Sequence, residues 1–232
     1  NVPAAGSTQA TPAVQVPNAV FKGLALASVG GANYLYATDF HHGTVDVFDN
    51  TFTLQHWSGA FRDRHIPDGY APFNIALLNG NLYVTYAKQD AARHDDVAGA
   101  GHGFVDVFST SGQLLNRLVS RGGLNSPWGL AIAPSSWGSL AGSLLVGNFG
   151  NGRIHAYDAT SGHALGALRD ASGNKITIDG LWGLLPGNGT AADPQSVIFS
   201  AGPDGETHGL VGVLQAAVVP GKDGDGHHGK QH

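Results

Sequence analysis

The side chains able to do acid–base or metal chemistry in this sequence gather in a few short segments. These are Asp39-Phe-His41-His42, Lys88 to His102, Asn148-Phe-Gly-Asn151 and Asp204-Gly-Glu206-Thr-His208. Carboxylate, imidazole and amide groups together can hold a divalent cation. An oxygen-rich set suits Ca²⁺, and His with carboxylate suits Zn²⁺. Asp39, His42, Asn148, Asp204, Glu206 and His208 are therefore the candidate metal ligands. A bound metal would lower the pKa of a water and open a hydrolase or lyase reading. The plainer alternative is that surface loops are polar and happen to hold His and Asp.

The segment from Lys88 to His102 is longer than its counterparts and carries Lys88, Asp90, His94, Asp95, Asp96 and His102. Loops of more than about 12 residues without secondary structure are uncommon unless they are functional or disordered. It reads equally as a lid or ligand loop and as a structural loop tied down by Asp95 and Asp96 accepting backbone amides. Asp68, Tyr70, Asn125, Trp128, Asp179 and Trp182 precede strands and are expected on the same face. Trp128 and Trp182 occupy equivalent places before Gly129 and Gly183, which favours packing between sheets over a stacking platform for sugars. Asp46 and Asp106, in two copies of Val-Asp-Val-Phe, are expected to bond turns or neighbouring strands.

Composition limits the remaining choices. Hydrophobic residues make up 42% and charged residues 12%, too apolar and too weakly charged for a disordered chain. The net charge of −5 implies no basic face, so nucleic acid is not an expected partner. No apolar run reaches the roughly 18 residues of a membrane-spanning helix. With no Cys there are no disulfides, thiolate metal sites or Cys nucleophiles. No Gly-x-Ser-x-Gly elbow, P-loop or dinucleotide fingerprint is present. The chain opens at Asn1 and contains no Met, so it is read as lacking the start of its translation product.

The elements that must carry these residues repeat. Gly23-Leu-Ala, Asn74-Ile-Ala, Gly129-Leu-Ala and Gly183-Leu-Leu recur at intervals of roughly 50 residues. Each is followed by an apolar strand (Leu35 to Thr38, Leu82 to Thr85, Leu144 to Gly147, Val197 to Ser200) and then by Gly with a third strand (Gly43 to Phe48, Gly103 to Phe108, Gly152 to Tyr157, Gly209 to Leu214). A weaker fourth strand follows in three repeats, at Leu54 to Trp57, Leu114 to Val119 and Ala164 to Leu168. Short strands, nearly apolar on both faces and separated by turns built from the 35 glycines, predict an all-β fold. The expected architecture is a β-propeller with four recognisable four-stranded blades, part of a six-bladed ring. Residues 21–217 are the blades. Residues 1–20 read as a linker, with Ala13-Val-Gln-Val16 as the outer strand of a preceding incomplete blade. Residues 218–232 read as a flexible His- and Gly-rich tail.

Several long runs resemble an uncharacterised family of secreted bacterial proteins with NHL-like six-bladed propellers. They are Tyr34-Leu-Tyr-Ala-Thr-Asp-Phe-His41, Tyr83-Val-Thr-Tyr-Ala-Lys-Gln-Asp90, His94-Asp-Asp-Val-Ala-Gly99, Gly103-Phe-Val-Asp-Val-Phe108, Leu124-Asn-Ser-Pro-Trp-Gly-Leu130 and Ala201-Gly-Pro-Asp204. The resemblance implies further blades before Phe21 and export to a secreted or periplasmic location. It implies no activity. The expected function is an extracytoplasmic binding or scaffold module that docks a protein or glycan partner on its loop face, or serves as a subunit of a larger assembly. The alternative is the metal-dependent hydrolase or lyase.

Overall fold

The computed structural model describes residue 8 and residues 10–217. The tail glycines and histidines, and the Asp223-Gly-Asp225-Gly run, lie outside the described residues. The chain folds into four antiparallel sheets, each a simple meander. The first holds β1 (Phe21–Val29), β2 (Ala32–Asp39), β3 (Thr44–Phe48) and β4 (Leu54–Gln55). The second holds β5 (Tyr70–Leu78), β6 (Asn81–Lys88), β7 (Phe104–Phe108) and β8 (Leu114–Ser120). The third holds β9 (Pro127–Ile132), β10 (Leu144–Asn148), β11 (Ile154–Tyr157) and β12 (Ala164–Ala167). The fourth has three strands, not four: β13 (Leu181–Pro186), β14 (Ser196–Ala201) and β15 (Leu210–Gln215). Residues 13–16, read from sequence as an outer strand, pair with no sheet among the described residues.

The sheets stack face to face as propeller blades. One apolar core lies between blades one and two (Ala25, Tyr36, Ile75, Phe104), another between two and three (Val105, Leu118, Leu130, Val146), and a third between three and four (Ala131, Ile154, Leu184, Val197). Both faces of each inner blade are therefore buried, which is why these strands do not alternate between apolar and polar residues. The outward faces of the two end blades are covered by none of the described residues. Leu24 and Leu26 are each 62% exposed, and Val211 is 73% exposed.

The four inner strands converge, and this explains the small residue that opens each. A Cβ on Gly23 would come within 2.8 Å of the Asn74 Cα, and one on Gly129 within 2.8 Å of the Trp182 carbonyl oxygen. The Asn74 amide donates to the Trp128 carbonyl at 2.6 Å, joining blades two and three at this level. The pairing of first and second strands slips at the same place in all four blades: between Phe21 and Leu24, Pro72 and Asn74, Pro127 and Gly129, and Leu181 and Leu184. Such a bulge leaves a backbone N–H without its ladder partner. A hydroxyl from the second strand supplies one: Thr38 to Gly23 N–H at 2.7 Å, Thr85 to Asn74 N–H at 3.0 Å, and Ser200 to Gly183 N–H at 3.1 Å. Blade three has Gly147 at this position, where a Cβ would meet a Leu181 methyl at 3.1 Å. Replacing the buried Thr85 by the near-isosteric Val should orphan the Asn74 amide and cost about 1–3 kcal/mol, read as a lower midpoint in denaturant unfolding. A midpoint equal to that of the parent would show that the hydroxyl does not carry this bulge.

Candidate functional site

The channel mouth is filled. Phe40, Phe73, Trp128, Phe149 and Trp182 reach it from all four blades. Trp128 and Trp182 meet edge to face with centroids 5.3 Å apart, and Phe149 stacks on Trp182 at 4.2 Å. The two tryptophans thus pack between blades. The Trp182 indole N–H donates to Glu206 at 2.6 Å, whereas the Trp128 indole N–H is buried with no partner among the described residues.

The long loop lies across this mouth and is fastened to three blades. Lys22 pairs with Asp95 at 2.9 Å, on blade one. Gln89 donates to the Phe40 carbonyl at 2.5 Å. Toward blade three, Asn125 accepts from Gly99 N–H at 2.7 Å, and the His102 carbonyl accepts from Ser126 N–H at 3.0 Å. Within the loop, Asp90 accepts from His94 N–H at 2.8 Å, and the Lys88 carbonyl from Val97 N–H at 2.8 Å. Asp95 pairs with His94 at 3.0 Å, and burial pushes the Asp96 carboxyl up. The geometry is a strap. Its fastenings are Asn125, Asp90 and the Lys22–Asp95 pair, not the amide caps on Asp95 and Asp96 expected from sequence.

The six candidate metal ligands are held apart. The buried Asp39 carboxylate accepts from the N–H groups of Val20, His41 and His42 and meets the His42 ring at 2.5 Å, closing a turn of blade one. The Asn148 side chain, on blade three, accepts from Asn125 N–H and donates to the Gly123 carbonyl. Asp204, Glu206 and His208 lie on blade four. Asp204 is 3.4 Å from His208, and its N–H donates to Asp179 at 2.9 Å. Among the described residues, no three His, Asp or Glu side chains gather as a metal ion requires.

Polar side chains do converge off the axis, between blades one and two. A cleft of about 640 Å³ opens on the loop face. Its walls come from the turn after β2 (His41, His42), the connection into β5 (Arg62, Asp63, Arg64, Asp68, Tyr70) and the start of the strap (Gln89, Arg93). Tyr86 also lines it and is 4% exposed. Arg117, from β8, grips Asp63 with both Nε (2.7 Å) and a terminal nitrogen, and its Nε lies 3.7 Å from Asp106. Asp106 is fully buried, and neither carboxyl oxygen nor the Tyr86 hydroxyl has a well-formed hydrogen bond among the described residues. Asp106 thus meets its two neighbouring strands, as expected, but loosely, through Arg117 of β8 and the Tyr86 hydroxyl of β6. Asp46 accepts from the Thr44 hydroxyl at 3.0 Å.

The two carboxyls of this cluster are driven apart. Burial, then the Asp63 charge, pushes Asp106 up to about 7, against the pull of Arg117. Burial also raises Asp63, but the His65 amide and Arg117 outweigh it and hold Asp63 below the usual carboxylate range. Burial drives the Tyr86 phenol well up, reinforced by Asp106. Of the cleft residues, sequence reading had placed Asp68 and Tyr70 on this face and His42 in the metal set. It does not single out Arg62, Asp63, Arg64, Tyr86 or Arg93, nor Arg117 beneath them. The signal available was the run Arg62-Asp-Arg64-His65, a charge-dense stretch in a chain with only 12 Lys and Arg.

No protein-family model matches the chain. Two uncharacterized proteins of Acanthamoeba polyphaga mimivirus are each 38% identical to it, over 200 and 199 residues, covering 84% of this chain and 48% and 51% of their own lengths. The chain thus spans about half the length of these curated relatives. Among solved structures, an α-L-arabinofuranosidase from Fusarium graminearum in complex with an iminosugar inhibitor superposes with a TM-score of 0.53 at 15% identity, over 83% of this chain and 57% of that one. A chain of a nidogen/laminin complex superposes with a TM-score of 0.50 at 15% identity, over 88% and 67%. These likenesses establish the β-propeller fold.

The Asp106 shift has a testable sign. The folded state keeps the Asp106 proton up to about pH 7, while the unfolded chain releases it near the ordinary carboxyl value of 3.8. Between these values the folded state binds more protons, so this group lowers stability as pH rises through that window. Asp106→Asn should remove that slope, matching the parent near pH 4 and exceeding it by about 1–3 kcal/mol at pH 8, as measured by denaturant unfolding across the range. An unchanged slope would place the titration elsewhere.

Proposed function

We propose that this chain is a binding module that recognises its ligand on the loop face, at the cleft between blades one and two. The observation that carries the reading is the contrast between a plugged axis and an open, polar cleft. Aromatic side chains and the strap fill the place where a propeller most often holds a ligand, whereas the off-axis cleft converges charged and hydrogen-bonding groups from three separate segments. A cleft of this size falls within the range of small-ligand sites. Its rigid walls suit recognition, because a preorganised site loses little freedom on binding.

The module works outside the cytoplasm, in a secreted or periplasmic setting, as the likeness to exported NHL-like propellers implies. The structural neighbours support a recognition role by analogy of fold only. One is a glycosidase seen with a sugar-like inhibitor, and the other belongs to a complex between proteins. The metal-dependent hydrolase reading is not carried forward, since among the described residues no three His, Asp or Glu side chains gather to hold an ion.

The test is a mixed array of glycans and peptides probed with the parent, with Asp68→Trp, which obstructs the cleft, and with Ser172→Trp, on an exposed turn of blade three. The array should yield ligands that Asp68→Trp loses and Ser172→Trp retains. Ligands retained by both variants would move the docking site elsewhere. An array without ligands would overturn the reading.

A further inference from the structure

We infer that the cleft between blades one and two takes an acidic saccharide, a sugar whose carboxylate is clasped by Arg64 and Arg93; this rests on the binding-module reading above. The charge distribution is the first argument. The chain as a whole is acidic, at −5, yet Arg62, Arg64 and Arg93 stand around this one cleft with His41 and His42 beside them. Against them are two carboxylates. Asp63 is already neutralised by Arg117, which leaves Asp68. Among the described residues, none of the three rim guanidinium groups has an ion-pair partner, although each is exposed and near the carboxylates of an acidic protein. A planar guanidinium fork matches a carboxylate in a two-bond geometry that an ammonium cannot reproduce.

The backbone at Arg93 is the second argument. Arg93 sits in the left-handed region at φ 57°, a conformation that glycine adopts without cost and other residues only with strain. The fold holds it there through Arg93 N–H to the Asp90 carbonyl (3.1 Å) and through the strap's fastening to Lys22. The position of Arg93 on the cleft rim is therefore fixed by the strap's own turn.

The lining argues for a sugar over an acidic peptide. Around the arginines are His41, His42, Gln89 and Asp68, a mixed set of donors and acceptors of the kind that ring hydroxyls satisfy. The cleft is also compact, at about 640 Å³. A peptide strand would instead seek an open sheet edge or an apolar groove.

Titration calorimetry with trigalacturonate, its methyl ester and a hexaglutamate peptide tests the inference on the parent, Arg64→Gln/Arg93→Gln and Arg169→Gln. Trigalacturonate should bind the parent, weaken as salt is raised, and weaken about tenfold or more on esterification or in the double variant. Arg169→Gln, on the far turn of blade three, should bind as the parent does. Equal binding of acid and ester would overturn the inference while leaving the cleft as a binding site, provided Asp68→Trp still blocks it. Binding of hexaglutamate but not trigalacturonate would overturn it in favour of an acidic peptide. Binding of trigalacturonate that Asp68→Trp does not affect would overturn both the inference and the choice of cleft. The double variant's circular dichroism and unfolding midpoint should match the parent's, since both arginines are exposed.

Discussion

The close approach of the inner strands around the axis is the constraint on which the rest of this structure depends. Strands this near one another have no room for side chains at their point of closest passage, so Gly23 and Gly129 stand there. Asn74 fits only because its amide reaches across to the Trp128 carbonyl. The same crowding accompanies a bulge in the first strand pair, and in three blades a second-strand hydroxyl takes up the N–H that the bulge frees. Just beyond the glycines, the residues that point to the axis are aromatic, and they fill it. Packing an axis in this way leaves little space there, and the polar cleft opens off the axis, between blades one and two.

The repeats were legible because they follow from that constraint. Every strand inferred from the recurring small residue, apolar strand and glycine turn is present, in order. What the repeat could not show is what lies beside each copy. Asp46 and Asp106 occupy the same place in the same Val-Asp-Val-Phe motif. In β7, Phe104 and Phe108 face blade one, and Asp106 is buried on that face with them. In β3 the corresponding face looks away from blade two, so Asp46 keeps contact with solvent and with Thr44. Identical local sequence thus produces a half-buried carboxylate, pushed up by partial desolvation, in one blade and a fully buried acid in the next. Only the stacking order distinguishes them.

The cleft was hard to read for a related reason. Its residues come from the parts of the chain that do not repeat: the connection into β5 and the first residues of the strap. The His- and Asp-bearing turns that looked like metal ligands do repeat, and they turn out to serve the repeat. Asp39 closes its own turn with backbone N–H groups, and Asn148 ties two turns of blade three together. Short polar side chains beside tight turns usually satisfy backbone groups before they reach anything else. Long side chains on irregular connections have no such local demand.

The buried cluster beneath the cleft shows how the fold tolerates charge between blades. One guanidinium serves two carboxyls of unequal standing. Arg117 binds Asp63 through two nitrogens and stands farther from Asp106. An ion pair makes burial of Asp63 tolerable, whereas a second ionised carboxylate beside it would be unpaired in a dry interface and strongly disfavoured. Keeping a proton on Asp106 resolves the conflict without moving any atom. It also leaves Arg117 committed at the base, so the guanidinium groups left without an ion-pair partner among the described residues at the rim of the cleft are Arg62, Arg64 and Arg93. The strap fixes one of these and the connection into β5 fixes the other two. The spacing of the rim charges is therefore set by the packing of blade two on blade one, the same contact that buries Asp106.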